Sequence, residues 1–144
     1  MVTRSPVART CSCITTVSTL DVSGLNGLIT DLDVTLNISH SFNADLEIFL
    51  VSPTGTAVAL TFADDLFGAN LASTTFDDEA FNSISFASPP YAGSFRPSGF
   101  LGFFDFEDPN GEWRLEITDT AELDEGVLNN WSLSITTDQP DAFE

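Results

Sequence analysis

Lysine is absent from this 144-residue chain, and arginine occurs only as Arg4, Arg9, Arg96 and Arg114. Against 22 aspartates and glutamates, this leaves a formal charge of −18 with the single histidine, His40, neutral. Such a charge repels phosphate backbones and anionic headgroups, which excludes nucleic acid and basic docking to membranes. Long apolar runs are missing too. None reaches the roughly 18 to 20 residues of a membrane span, and the first residues lack the apolar stretch of a secretory leader, so any export signal is expected outside this chain. Cysteine is limited to Cys11 and Cys13. Two such close residues build no disulfide framework and lack the further ligands that zinc requires, so they are incidental thiols or a small local ring. Schiff-base chemistry has no lysine, no G-x-S-x-G elbow accompanies His40, and no carboxylate spacing singles out glycoside hydrolysis. The domain is therefore expected to be non-enzymatic, with His40 a hydrogen-bonding structural residue.

What is present is a core. Hydrophobic residues make up 42% of the chain, 13 of them Phe, which sets it apart from the disordered class that acidity alone suggests. LDVTLNI puts Leu32, Val34, Leu36 and Ile38 on one face and Asp33, Thr35 and Asn37 on the other, the period of a half-buried strand. DLEIFLVS alternates Leu46, Ile48 and Leu50 with a partly apolar second face, so a central position is expected. EWRLEIT and NWSLSIT give two further strands with Trp113, Leu115, Ile117 and Trp131, Leu133, Ile135 inward. SPTGT, with Pro53 and Gly55, reads as the turn of a hairpin, and DPNG as another tight turn. Strands every 8 to 15 residues with no helical period predict an all-β sandwich. Residues 1–16 and 138–144 read as tails and 17–137 as the folded unit.

Residues 63–111 are irregular, rich in Gly, Pro, Phe and acids, and a segment of this kind inside a compact domain is usually functional or held by something other than ladder bonds. Asp77, Asp78 and Glu79 are consecutive, with Asp64 and Asp65 before them and Asp105, Glu107 and Asp108 after. Three adjacent carboxylates repel one another. Either they form a solvated acidic loop, or a hard cation with many oxygen ligands holds them, for which calcium suits better than zinc or copper. No EF-hand spacing is present.

The order of these motifs resembles a known family. ISHSFNADLEIFLVSPTGTAVAL, TTFDDEA, GSFRPSGFLGFFDFEDPNGEWRLEITD and GVLNNWSLSI are similar to successive elements of the P domain, or Homo B domain, of proprotein convertases, over roughly Ser18 to Thr137. The resemblance implies a jelly-roll β-sandwich like galactose-binding domains. It implies a non-catalytic role stabilising an exported, extracellular subtilisin-like or other protease, in cis or in trans. It also implies calcium at F-D-D-E-A, which carries over to Asp77, Asp78 and Glu79. Asp45 matches the D-L pair as a ligand or a turn cap, and Asp119 and Asp124 match a D-x-x-x-x-D-x-G last hairpin that could hold a second ion. A monomer is expected.

A binding module for glycans or surface polymers is the alternative, on the strength of Phe100, Phe103, Phe104 and Phe106 in one Gly-rich stretch. Phe in a sandwich is ordinarily core, which weighs against it. Asn37 and Asn130 head N-x-S sequons, of consequence only in a eukaryotic secretory route.

Overall fold

The computed structural model describes residues 14–120 and 126–139. Eight strands form two four-stranded sheets packed face to face. In chain order they are β1 (Ile14–Val22), β2 (Ile29–His40), β3 (Leu46–Val51), β4 (Ala57–Thr61), β5 (Leu71–Phe76), β6 (Gly93–Phe95), β7 (Gly111–Asp119) and β8 (Gly126–Thr137). One sheet runs β1-β7-β3-β4 and the other β6-β5-β2-β8. Pairing is antiparallel except between β5 and β6. The expected all-β sandwich is therefore what forms. Among the described residues no helix is long and apolar enough to cross a membrane.

Period-two alternation builds the core. Leu32, Val34, Leu36 and Ile38 of β2 meet Leu46, Ile48 and Leu50 of β3 and Trp113, Leu115 and Ile117 of β7 in one buried cluster. β3 lies between β7 and β4, the central place its two apolar faces call for. It joins β4 through the Ser52–Thr56 hairpin, where Gly55 takes φ +99, a conformation glycine adopts without steric penalty. Trp113 is wholly buried, stands edge-on to Phe104 at 5.2 Å and donates its indole N–H to the Pro109 carbonyl at 2.8 Å.

The irregular middle is held by more than its acids. β5 pairs with β2, and Ile84, Tyr91, Leu101 and Phe104 are buried in the common core. The Arg96 guanidinium donates to the Ala80 carbonyl at 3.0 Å and the Phe81 carbonyl at 2.6 Å.

Three features differ from the sequence reading. The last two strands form no hairpin, because β7 and β8 lie in different sheets. Both have one apolar face, which suits either sheet equally, so alternation alone could not assign their partners. β1 opens at Ile14, three residues before the expected start of the folded unit. At the other end, Leu28 N donates to Asp138 Oδ1 at 2.8 Å and Asp138 N to the Leu28 carbonyl at 2.9 Å. Cys11 and Cys13 lie outside the described residues.

Replacing Trp113 with Phe retains an aromatic ring but leaves the buried Pro109 carbonyl without its donor. Trp113→Phe is expected to lower unfolding free energy by roughly 1–3 kcal/mol in urea titration, and an unchanged midpoint would contradict this packing.

Candidate metal centre

The N-terminal half of β2 sends its apolar residues inward, so Asp31 and Asp33 necessarily share the outer face. β5 runs antiparallel beside it with Val34 opposite Phe76, which brings Asp77, one residue past the ladder, next to Asp33. Asp77 N–H donates to the Phe95 carbonyl at 2.9 Å, keeping the strand end docked. The chain then turns on itself. Glu79 N–H donates to Asp77 Oδ1 at 2.9 Å and Ala80 N–H to the Asp77 carbonyl at 3.0 Å, which folds Glu79 back over the strand ends. Carboxylate oxygens of Asp31, Asp33, Asp77 and Glu79 all come within 4.8 Å of one another.

Crowding raises the proton affinity of several of these carboxyls. Asp33 is pushed up to about 6, chiefly by burial and then by the charges of Asp31 and Asp77. Glu79 is pushed up to about 7, chiefly by hydrogen bonding to the Asp31 and Asp77 carboxyls, with burial and their charges adding to it. Asp33 Oδ1 is buried with no hydrogen-bond partner among the described residues. Asp105 is also raised, by burial first and then by Asp31 and Asp78. Four carboxyl groups with no nitrogen or sulfur among them suit a hard cation that accepts oxygen ligands in flexible geometry. Asp31, Asp33, Asp77 and Glu79 thus fit calcium in ligand chemistry, with further oxygens left for a second carboxylate atom or water.

Sequence reasoning pointed to Asp77 and Glu79 but did not mark Asp31, and read Asp33 only as part of the polar face of a strand. Asp78 points elsewhere: its carboxylate accepts Leu101 N–H at 3.0 Å and Gly102 N–H at 2.8 Å, fastening the short 3₁₀ helix Leu101–Phe104. Three of the other marked acids are also separately engaged. Asp65 accepts from Phe62 N–H and the Ser98 hydroxyl, Glu107 from the Thr54 and Thr56 hydroxyls, and Asp108 from Asn110 N–H.

Asp45 and Asp119 stand at the opposite end of the sandwich. The Asp45 carbonyl accepts Thr120 N–H at 2.8 Å and the Thr120 hydroxyl at 2.9 Å, tying the end of β7 to the loop before β3. Asp119 belongs to the inward phase of β7 and its Oδ2 meets His40 Nε2 at 2.9 Å. His40 closes β2, roughly 20 Å from Asp33 at the rise of an extended strand. Phe42 N–H donates to His40 Nδ1 at 3.0 Å, so the ring proton sits on Nε2 and points at Asp119. Both ring nitrogens of this buried histidine are occupied, which leaves neither to act as a general base. Asp124 lies outside the described residues. Of the four clustered phenylalanines only Phe104 is core; Phe100, Phe103 and Phe106 are exposed, at 53%, 67% and 75%.

Comparison with known proteins agrees with the motif order. The family model for the proprotein convertase P-domain matches residues 29–135. Leupeptin-inactivating enzyme 1 of Streptomyces exfoliatus is 31% identical over 133 residues, covering 90% of this chain and 23% of that protein. A crystal structure of a serine protease of Aeromonas sobria overlaps with a TM-score of 0.40 at 21% identity, over 91% of this chain and 28% of that one. The chain thus spans about a quarter of the length of either.

The raised carboxyls set a pH dependence for the metal-free protein. Both groups bind protons more tightly folded than unfolded, so their favourable contribution is complete below pH 4 and is lost as pH rises through about 6 and 7. Thermal melts without divalent cations are expected to show this decline, and Asp33→Asn with Glu79→Gln to flatten it. A wild-type and double-variant pair with parallel profiles between pH 4 and 8 would contradict the cluster.

Proposed function

Because the chain belongs to the proprotein convertase P-domain family, we propose that it is a non-catalytic, calcium-binding accessory module that supports the folding and stability of an exported protease catalytic domain. The observation that carries the calcium half is the convergence of Asp31, Asp33, Asp77 and Glu79, with Asp33 Oδ1 buried and unpartnered. A divalent ion there would cancel repulsion between carboxylates that otherwise must share protons. The ion would supply electrostatic neutralisation and cross-bridge β2 to the loop after β5. Asp78 then acts on the other side of the same loop, passing its order to the 3₁₀ helix Leu101–Phe104. Asp45, Asp119 and Asp124 remain candidates only for a separate, second ion.

Family membership and coverage support the protease half. The chain accounts for only 23% of the relative named as an enzyme, which fits a module acting beside a catalytic domain in cis or in trans. The engagement of both His40 nitrogens supports the absence of catalysis in the module itself. An extracellular setting, where calcium is abundant, follows from the same reading. The exposure of Phe100, Phe103 and Phe106 favours a second reading, a surface-binding module using these rings as contacts, for which glycan-array retention lost in a Phe103→Ala variant is the check.

Calcium is expected to raise the melting temperature at pH 7.5 and to lose much of this effect below about pH 5, where Asp33 and Glu79 are protonated. Asp33→Asn and Asp77→Asn are each expected to weaken binding at least about tenfold by calorimetry, as loss of a charged ligand does. Asp45→Asn is expected to leave this site unchanged. No heat of binding and no thermal gain in the wild type would refute the calcium role. Equal yield of active protease when its catalytic domain is expressed with and without residues 17–137 would refute the supporting role.

A further inference from the structure

The side of the sandwich formed by β1 and β8 is built unlike the rest of the surface. Both strands are sheet edges, and among the described residues nothing pairs with the outer side of β8. β8 is twelve residues long and reads GVLNNWSLSITT, without one charged residue, in a chain carrying 22 acids. β1 adds only Asp21. Soluble proteins ordinarily protect a long edge strand with charge, proline or a covering element, and β8 has none of these among the described residues.

The inward face of the same strand is incompletely covered. Leu128, Trp131, Leu133 and Ile135 face the core opposite Ile38, Leu36, Val34 and Leu32, yet each is only partly buried, whereas their β2 partners are at 3% exposure or less. A cleft of about 410 Å³ opens between the edges, lined by Ser18 of β1 and Val127 and Leu128 of β8. A second, of about 420 Å³, lies along Leu20, Val22, Leu133 and Ile135. The hydrogen bond from Trp131 Nε1 to Ser18 Oγ, at 2.9 Å, spans the opening.

We propose that this side is a homodimer interface, with β8 of one chain pairing antiparallel with β8 of a second copy across a two-fold axis. Each four-stranded sheet β6-β5-β2-β8 then continues into its mate as one eight-stranded sheet, and β1 approaches its counterpart in the other layer. Charge selects the occupant. A chain at −18 is repelled by a second copy over most of its surface, and a two-fold axis through β8 sets its uncharged strand against itself. Area agrees with this choice. A twelve-residue strand about 40 Å long, on a two-layer side about 20 Å wide, offers on the order of 800 Å² per partner, the standard size of a stable interface. This departs from the monomer expected from sequence and is independent of the calcium reading.

Sedimentation velocity across the micromolar to submillimolar range tests it. A dimer is expected, strengthened by added salt because screening relieves the like-charge repulsion between copies. Ser132→Glu, at an exposed position in the middle of β8, is expected to weaken association by at least about tenfold by facing like charges across the axis. Hydrogen exchange on the wild type keeps the question open to test should that variant misfold: β8 amides are expected to gain protection as concentration rises. A monomer at every concentration, or a dimer whose β8 amides exchange at a concentration-independent rate, overturns the proposal.

Discussion

Alternation along β2 is the constraint from which the rest follows. This strand sits inside its sheet, between β5 and β8, and places Leu32, Val34, Leu36 and Ile38 on the core side. A slip of one residue against β5 would turn that entire set outward, so the burial of four apolar side chains fixes the register. The same register determines that Asp31 and Asp33 face out, that Asp77 arrives beside Asp33, and that His40 closes the strand on the inner side. The polar chemistry is a by-product of hydrophobic phase.

The two ends of β2 solve the problem of polar groups in different ways. At the C-terminal end a carboxylate drawn inward by its own strand, Asp119, meets the one histidine of the chain, and Phe42 N–H completes the satisfaction of the ring. Nothing further is needed there. At the N-terminal end four carboxyls converge, with no basic residue among the described ones grouped with them, and two respond by holding protons at pH values where isolated carboxyls are ionised. That difference, and not the acidity of the chain as a whole, is what marks the N-terminal end as a group of carboxyls able to accept a cation.

Much of this was legible from the residues. The alternating runs identified β2, β3, β7 and β8, and Pro53 with Gly55 marked the β3–β4 turn. F-D-D-E-A pointed to Asp77 and Glu79. Asp31 and Asp33 were hidden, since a strand with acids at i and i+2 is ordinary solvent-facing sequence until the β2–β5 register is known. The role of Asp119 was within reach: it shares parity with Trp113, Leu115 and Ile117, and an inward carboxylate requires a partner. His40, on the inward parity of β2, was the available one. Topology was less accessible, because β7 and β8 carry equally good one-faced patterns and only the three-dimensional arrangement shows that they belong to different layers.

On the reading proposed above, β2 and the loop after β5 form one cation site. Anomalous diffraction from crystals grown with calcium measures this directly. A single strong peak is expected about 2.3–2.6 Å from carboxylate oxygens of Asp31, Asp33, Asp77 and Glu79. A calcium-saturated crystal in which those oxygens remain hydrogen-bonded to one another, with no peak between them, would contradict it.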